Sequence, residues 1–282
     1  MAAKAVVFAY HDVGVRCLRA LLEAGVGVPL VVTHRDDPAE RVFFGSVAEL
    51  ARSKGINTVF SEELDPRELE DRLANLSPDF IFSFYYRRML PPELLALARR
   101  GAFNMHGSLL PKYRGRAPVN WAVLKGETET GATLHEMVAK PDAGRIVDQQ
   151  PVPIGPDETA GEVMAKVAVA AEAVLRRSIH NLVSGKAQLK PQDLSKGSYF
   201  GGRRPEDGRI DWSASALEIH NLVRAVAPPY PGAFTERMKI LRTRMEPGRI
   251  PRQRGPYQEG GEWFAGCGDG KVLRLLEVEP IP

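Results

Sequence analysis

Asn104 and His106 stand two residues apart in the run Gly101-Ala102-Phe103-Asn104-Met105-His106-Gly107-Ser108-Leu109-Leu110-Pro111. Residues 102–106 read as a strand, and in a strand residues i and i+2 face the same side. Asn104 and His106 therefore project into one site. An amide that donates to a developing oxyanion, beside an imidazole that moves a proton, is equipment for acyl chemistry. Ser108 reads as a residue that orders the loop or orients a water, not as a nucleophile. A carboxylate is offered by Lys140-Pro141-Asp142-Ala143-Gly144. An Asp in a Pro/Gly turn is ordinarily a turn former. Brought to His106 by the fold, it would stabilise the imidazolium and raise its pKa. The loop Lys112-Tyr113-Arg114-Gly115-Arg116 presents cations to a phosphate or carboxylate, with a solvated basic loop as the plainer alternative.

The elements that must position these groups alternate. Strand-like apolar runs cover 4–10, 28–33, 57–60, 80–84 and 102–106; helical patterns cover 13–24, 46–53, 67–75 and 92–98. Such alternation implies a mainly parallel sheet covered on both faces. Ligands bind beyond the carboxyl ends of such strands, where Asn104 and His106 lie. A short helix at 119–124, strands at 131–138 and 146–154 and a long alanine-rich helix at 159–182 follow, the last with Asp157 or Thr159 as N-cap and Gly185 as its end. His135, on the 131–138 strand, reads at least as well as a packed structural histidine as a catalytic one. From 186 to 209 the pattern fades into Gly, Pro, Ser and charge. The expected organisation is a Rossmann-like α/β domain over 1–190, a linker over 191–209 and a small β-barrel domain over 210–282 carrying one helix at 215–226. Trp212, Trp263 and Phe264 are expected in the core of that small domain.

Composition narrows the function. The chain has 282 residues, 44% of them hydrophobic and 26% charged, with a net charge of +3. That excludes a disordered chain and a strongly basic nucleic-acid binder. Residues 237–254 carry seven Lys/Arg against one acid, Glu246, and read as a solvated face in preference to a nucleic-acid contact. Cys17 and Cys267 supply neither a disulfide framework nor metal-ligand spacing, and Cys17 falls at a buried helical position. No apolar run approaches ~18 residues. Met1-Ala2-Ala3-Lys4 leads straight into a strand, with no room for a signal peptide, so a reduced, cytoplasmic protein without membrane insertion is expected. The first strand–helix turn, Tyr10-His11-Asp12-Val13-Gly14-Val15, lacks G-x-G-x-x-G, and no Walker-type loop occurs; a bound NAD is not expected.

His106-Gly107-Ser108-Leu109-Leu110-Pro111, with Gly115 and Asp142-Ala143-Gly144, resembles the signature of the folate-dependent formyltransferases. Val7-Phe8-Ala9-Tyr10-His11-Asp12, Phe82-Ser83-Phe84-Tyr85-Tyr86-Arg87, Lys112-Tyr113-Arg114-Gly115-Arg116-Ala117-Pro118, Gly126-Glu127-Thr128-Glu129-Thr130-Gly131, Val223-Arg224-Ala225-Val226-Ala227 and Pro231-Gly232-Ala233-Phe234 are similar to the formyltransferase half of the bifunctional polymyxin-resistance proteins, so the resemblance spans nearly the whole chain. It implies a Rossmann-like catalytic domain with a small C-terminal OB-like β-barrel. It implies transfer of the formyl group of 10-formyltetrahydrofolate to the 4-amine of UDP-4-amino-4-deoxy-L-arabinose, in lipid A modification, without a metal. Methionyl-tRNA, another nucleotide-linked amino sugar, or a folate- or nucleotide-binding role without catalysis are the alternatives. The resemblance makes Asn104, His106 and Asp142 catalytic. It assigns Arg88, Met89, Leu90, Arg116 and Val138, Ala139, Lys140, Pro141 and Asp142 to the folate, and Tyr10, Tyr113, Arg114, Asn120 and Arg204 are candidates for the sugar pocket. The bifunctional proteins continue into an NAD-dependent decarboxylating domain beyond the residues of this sequence; either the sequence is a fragment of such a protein, or a separate NAD-dependent decarboxylase acts as its partner in the same pathway.

Overall fold

Strands such as Phe80-Ile81-Phe82-Ser83-Phe84 offer apolar side chains to both faces, which only a sheet covered on both sides can satisfy. The computed structural model describes residues 3–38 and 42–281. Its first strands and helices are β1 (Lys4–Ala9), α1 (His11–Glu23), β2 (Gly27–Thr33), α2 (Val47–Ser53), β3 (Asn57–Phe60), α3 (Pro66–Leu76), β4 (Phe80–Phe84), α4 (Pro92–Leu95), β5 (Ala102–His106) and the short β6 (Arg114–Gly115). Then come α5 (Pro118–Leu124), β7 (Glu129–Glu136), β8 (Ile146–Pro153), α6 (Ala160–Ser184) and the short β9 (Tyr199–Phe200). Seven strands form one sheet in the order β3-β2-β1-β4-β5-β7-β8. The pairings among β1 to β5 are parallel, as the alternation predicts. β7 instead runs antiparallel to β5, which sets Asn104 opposite His135 and His106 opposite Thr133. The strand order changes direction between β1 and β4, and in open sheets of this kind ligands bind beyond the carboxyl ends of the strands at such a point.

Phe8, Phe80, Phe82, Phe84, Leu18, Leu21, Leu30 and Met105 are fully buried around this sheet. α1 contributes Val13, Cys17, Leu18 and Leu21, one face at helical spacing. α3 starts cleanly because the Asp65 carboxylate accepts the backbone N–H groups of Arg67 and Glu68 and Pro66 occupies the first turn. No helix of the described residues is long and apolar enough to cross a membrane.

The chain forms two compact units: one of residues up to Gly115, Gly131–Val152 and Ala165–Tyr199, the other of Arg116–Thr130, Pro153–Met164 and Phe200 onward. The second contains α7 (Ala216–Val226), β10 (Ala233–Phe234), β11 (Met238–Met245), β12 (Gly255–Glu259), β13 (Glu262–Gly266) and β14 (Val272–Pro280), paired antiparallel in the order β10-β11-β14-β13-β12. Ile219 and Val223 of α7 pack with Ile240, Leu273 and Leu275 of the sheet, and Trp212 and Trp263 cover that core. A capping box of Ser215 and Glu218 starts α7. Thr159 and Glu162 exchange the same pair of bonds at the start of α6, which settles Thr159 as its N-cap. In the basic stretch, Arg242 pairs with Glu162 while Arg249 and Arg252 share Glu259.

Residues 186–209 are structured in part. Lys190 forms a bridge to Ile146, Leu194–Lys196 make a 3-10 turn, and β9 pairs with β6. Their order comes from backbone hydrogen bonds to other segments, which leave no apolar period in the sequence.

Phe82 lies at the centre of the sheet, with its ring 5.6 Å from that of Phe84. Phe82→Ala is expected to cost about 3–5 kcal/mol, read as a lower urea midpoint of unfolding with the secondary structure of the native state unchanged.

Candidate active site

Period two places the side chains of Asn104 and His106 on one face of β5, at its carboxyl end. The His106 side chain is 6% exposed. Its Nε2 lies 2.7 Å from the backbone carbonyl oxygen of Tyr113. A carbonyl only accepts, so Nε2 carries the ring proton. Nδ1 is 3.6 Å from Asp142 Oδ1, beyond the reach of a good direct hydrogen bond. That nitrogen can therefore exchange a proton with a bound reactant.

Asp142 reaches this position through a turn that runs on from β7. Its own φ is 52°, in the left-handed region that Asp enters more readily than most residues. Gly144 then passes so close to β7 that a Cβ there would lie 1.9 Å from the Glu136 carbonyl oxygen. Any side chain at 144 would push the turn off the strand. The backbone N–H of Gly115 donates to Asp142 Oδ2 at 2.8 Å. His135 Nε2 approaches Oδ1 at 3.4 Å.

His135 is the residue the sequence undervalues. Its Nδ1 donates to the Glu136 carbonyl at 2.8 Å, and its Nε2 accepts from Asn104 Nδ2 at 3.2 Å. It thus holds one amide proton of Asn104 and leaves the second for another acceptor. The register that sets it there follows from β7 pairing antiparallel with β5, and a strand pattern read alone does not reveal its partner.

Burial pushes the His106 imidazole below its ordinary value, while Asp142 and the Tyr113 carbonyl oppose that shift without reversing it. The expectation that Asp142 raises this pKa is thus met in sign for the pair and overturned for the net result, because desolvation is the larger effect. For Asp142, burial works against ionisation, but His106, His135 and the Gly115 amide outweigh it and hold the carboxyl well below the usual carboxylate range. Near neutrality the site therefore contains a neutral imidazole and an ionised carboxylate. Nδ1 can accept a proton, and Asp142 is placed to stabilise the resulting imidazolium.

The loop after β5 is tied from within. Ser108 Oγ donates to the Lys112 carbonyl at 2.6 Å, which occupies its hydroxyl. Thr133 Oγ1 donates to the Ser108 carbonyl at 2.6 Å and accepts from the Leu110 N–H at 3.2 Å.

Other sequence candidates fall in several places. Tyr10 is buried at the end of β1, its hydroxyl on Asp36 and its ring under the Arg87 guanidinium. Arg88 donates to the Ser61 carbonyl, Met89 is 64% exposed, and Leu90 is packed in the core with Leu94 and Ala102. Val138, Ala139 and Lys140 are exposed, and Pro141 is half-buried beside Asp142. Tyr113 is buried with φ 57°, and Arg114 is buried with its Nε lacking a hydrogen-bond partner among the described residues. Arg116, Asn120 and Arg204 belong to the second unit. There the Arg116 N–H donates to Phe200, and the exposed Arg204 caps a 3-10 turn through Asp207. The buried amide of Asn120 donates to the Ala225 carbonyl at 2.9 Å, which joins α5 to α7.

The topology defines the class, an α/β fold with a mainly parallel sheet, and a cluster of proton-handling groups lies at the carboxyl end of β5. The sequence profile of the formyl transferase family matches residues 4–179, and that of the formyl transferase C-terminal domain matches residues 203–281. The chain belongs to the formyl transferase family and is a formyltransferase. Among solved structures it is similar to the N-formyltransferase from Helicobacter canadensis, crystallised with folinic acid and dTDP-3-aminofucose, at 21% identity and TM-score 0.76 over 100% of both chains. It is also similar to the sugar 3N-formyltransferase WlaRD, studied with dTDP and 5-N-formyl-THF, at 19% identity and TM-score 0.78 over 100% of this chain and 98% of that one. HypX from Aquifex aeolicus in complex with tetrahydrofolic acid matches at 19% identity and TM-score 0.64, over 97% of this chain and 44% of its own.

Burial lowers the pKa of His11, to about 4, and also of His34, His106 and His220. Unfolded, these side chains titrate near 6.5. Between the two values the unfolded chain binds more protons, so this stability is complete above about pH 6.5 and declines as pH falls. Asp142 adds a further loss only below about pH 4. Urea unfolding at pH 7, 6 and 5 should show stability dropping stepwise; a profile flat from pH 7 to 5 would contradict buried neutral histidines.

Proposed function

We propose that the enzyme transfers the formyl group of 10-formyltetrahydrofolate to the amine of a nucleotide-linked amino sugar, with UDP-4-amino-4-deoxy-L-arabinose as the lead acceptor. The observation that carries this reading is the His106 ring, its Nε2–H directed to the Tyr113 carbonyl and its Nδ1 turned towards an ionised Asp142, with Asn104 on the same strand face. The folate and dTDP-sugar ligands of the Helicobacter canadensis enzyme and of WlaRD support the donor and the acceptor class. The runs around Tyr10-His11-Asp12, Tyr85-Tyr86-Arg87 and Tyr113-Arg114-Gly115-Arg116 support the 4-amino-arabinose nucleotide, which would place the reaction in lipid A modification and polymyxin resistance.

The sugar's neutral amine attacks the formyl carbon. A bond forms from that nitrogen to the carbon, and the bond from the carbon to N10 of the donor breaks. Negative charge develops on the former carbonyl oxygen, and the second Asn104 N–H donates to it. His106 Nδ1 takes the proton released by the amine and delivers it to N10, so the imidazole ends as it began. Asp142 stabilises the transient imidazolium. The exposed apolar side chains of Met89 and Val138, in the two loops assigned to the donor, suit a flat pterin ring. The buried Arg114, whose Nε has no partner among the described residues, suits the diphosphate of the acceptor.

Asn104→Ala should lower kcat by ~10²–10³-fold with KM for the donor little changed. The test of the reading is a formyl-transfer assay with 10-formyltetrahydrofolate and three acceptors: UDP-4-amino-4-deoxy-L-arabinose, a dTDP-amino sugar and methionyl-tRNA. Transfer to the UDP sugar is expected. Transfer to tRNA alone would overturn it.

A further inference from the structure

The stretch Lys190–Ser198 lies against both halves of the proton-handling site. Lys190 exchanges two backbone hydrogen bonds with Ile146, at 2.7 and 2.8 Å, which fixes one end. Gln192 Nε2 donates to the Asp142 carbonyl at 3.0 Å and to the Gly144 carbonyl at 2.6 Å. One amide group thus spans the turn that aims the Asp142 carboxylate. At the other end, a Cβ on Gly197 would lie 2.3 Å from the Pro111 carbonyl oxygen, so glycine is needed for the segment to lie on the loop after β5. Ser198 then makes three contacts with that loop. Its N–H donates to the Pro111 carbonyl at 3.3 Å, and its own carbonyl accepts from the Arg114 N–H at 3.0 Å. Its Oγ accepts from the Tyr113 N–H at 2.8 Å.

These contacts bracket Tyr113, which has φ 57°. A bulky aromatic residue rarely adopts that conformation, which costs on the order of 1–2 kcal/mol and must be imposed by its surroundings. The result is a carbonyl directed at His106 Nε2. That acceptor decides the tautomer: with the proton on Nε2, the lone pair is on Nδ1, facing Asp142.

We infer that residues 190–198 form a positioning strap, in which Ser198 selects the tautomer of His106 through the Tyr113 carbonyl and Gln192 aims Asp142 through the carbonyls of its turn. The inference rests on the reading that His106 and Asp142 handle the transferred proton. Neither Gln192 nor Ser198 touches the reacting atoms; each acts through another residue.

The experiment pairs a readout on the protein alone with one on turnover. ¹H–¹⁵N NMR of the His106 ring in the full chain should show the Nε2–H tautomer above pH 7. In Ser198→Ala a mixture of tautomers is expected, with kcat reduced by up to ~10²-fold and KM for the donor within about twofold. Ser198→Thr, which keeps the hydroxyl, should restore both. Gln192→Leu loosens the carboxylate. Asp142 and His135 are the titratable groups that face the His106 ring, and only Asp142 raises its pKa. Titration of His106 should therefore move to lower pH in Gln192→Leu. A wild-type tautomer and wild-type kcat in Ser198→Ala, or an unmoved titration in Gln192→Leu, would overturn the strap; should Ser198→Ala not fold, the Gln192→Leu titration decides. If the NMR changes occur but the wild-type protein formylates no amino sugar, the strap stands and the proposed reaction fails.

Discussion

A carboxylate taken out of water must be met by donors, and in the first unit that group is Asp142. Its side chain is only 13% exposed and it is ionised near neutrality. Left uncompensated, a buried charge costs several kcal/mol or loses its proton instead. Here the Gly115 amide donates to one oxygen, and the rings of His106 and His135 stand 3.6 and 3.4 Å from the other, where a proton arriving on either ring would meet the charge. Much of the local architecture serves this arrangement. The left-handed conformation of Asp142, the missing side chain at Gly144 and the clasp of Gln192 on the turn all bring the carboxylate to the end of β5.

The two histidines around it hold opposite tautomers, and that difference separates their roles. His135 gives its Nδ1 proton to the Glu136 carbonyl and uses Nε2 to accept from Asn104, which makes it a bracket for the amide. His106 donates its Nε2–H to the Tyr113 carbonyl, which leaves Nδ1 as the acceptor that the proposed reaction needs. In each case a backbone carbonyl, not a side chain, makes the choice. Desolvation favours the neutral form of His106, and the Asp142 carboxylate opposes that shift, which is the balance the proposed proton transfer requires. A base must be poised in this way if it is to take a proton and return it within one reaction.

The sequence made the centre of the site legible because it depends on short-range rules. The spacing of Asn104 and His106 on an apolar strand predicts a shared face, and the alternation of apolar runs with helical patterns predicts a sheet whose carboxyl ends hold the site. The rest depends on contacts between distant segments. The antiparallel pairing of β5 with β7, which sets His135 beside Asn104, has no marker in the composition of either strand. Nor does the order of residues 190–198, whose polar side chains look like a linker until their hydrogen bonds to Pro111, Tyr113 and Asp142 are seen. Net pKa values were also out of reach. The charge of Asp142 can be read from its letter, whereas the desolvation that outweighs it at His106 is a property of the packed fold.

The measurement that bears most directly on a neutral, buried His106 as the proton carrier is the pH dependence of single-turnover formyl transfer from 10-formyltetrahydrofolate to the amino sugar. In the wild-type enzyme the rate should be level near neutrality and fall along an acidic limb below about pH 6.5. In Asp142→Asn the plateau should be lower and the limb displaced to lower pH, because the charged group that raises the His106 pKa has been removed while the Tyr113 carbonyl remains. A limb at the same pH in both proteins, or a rate independent of pH from 5 to 8, would contradict the account.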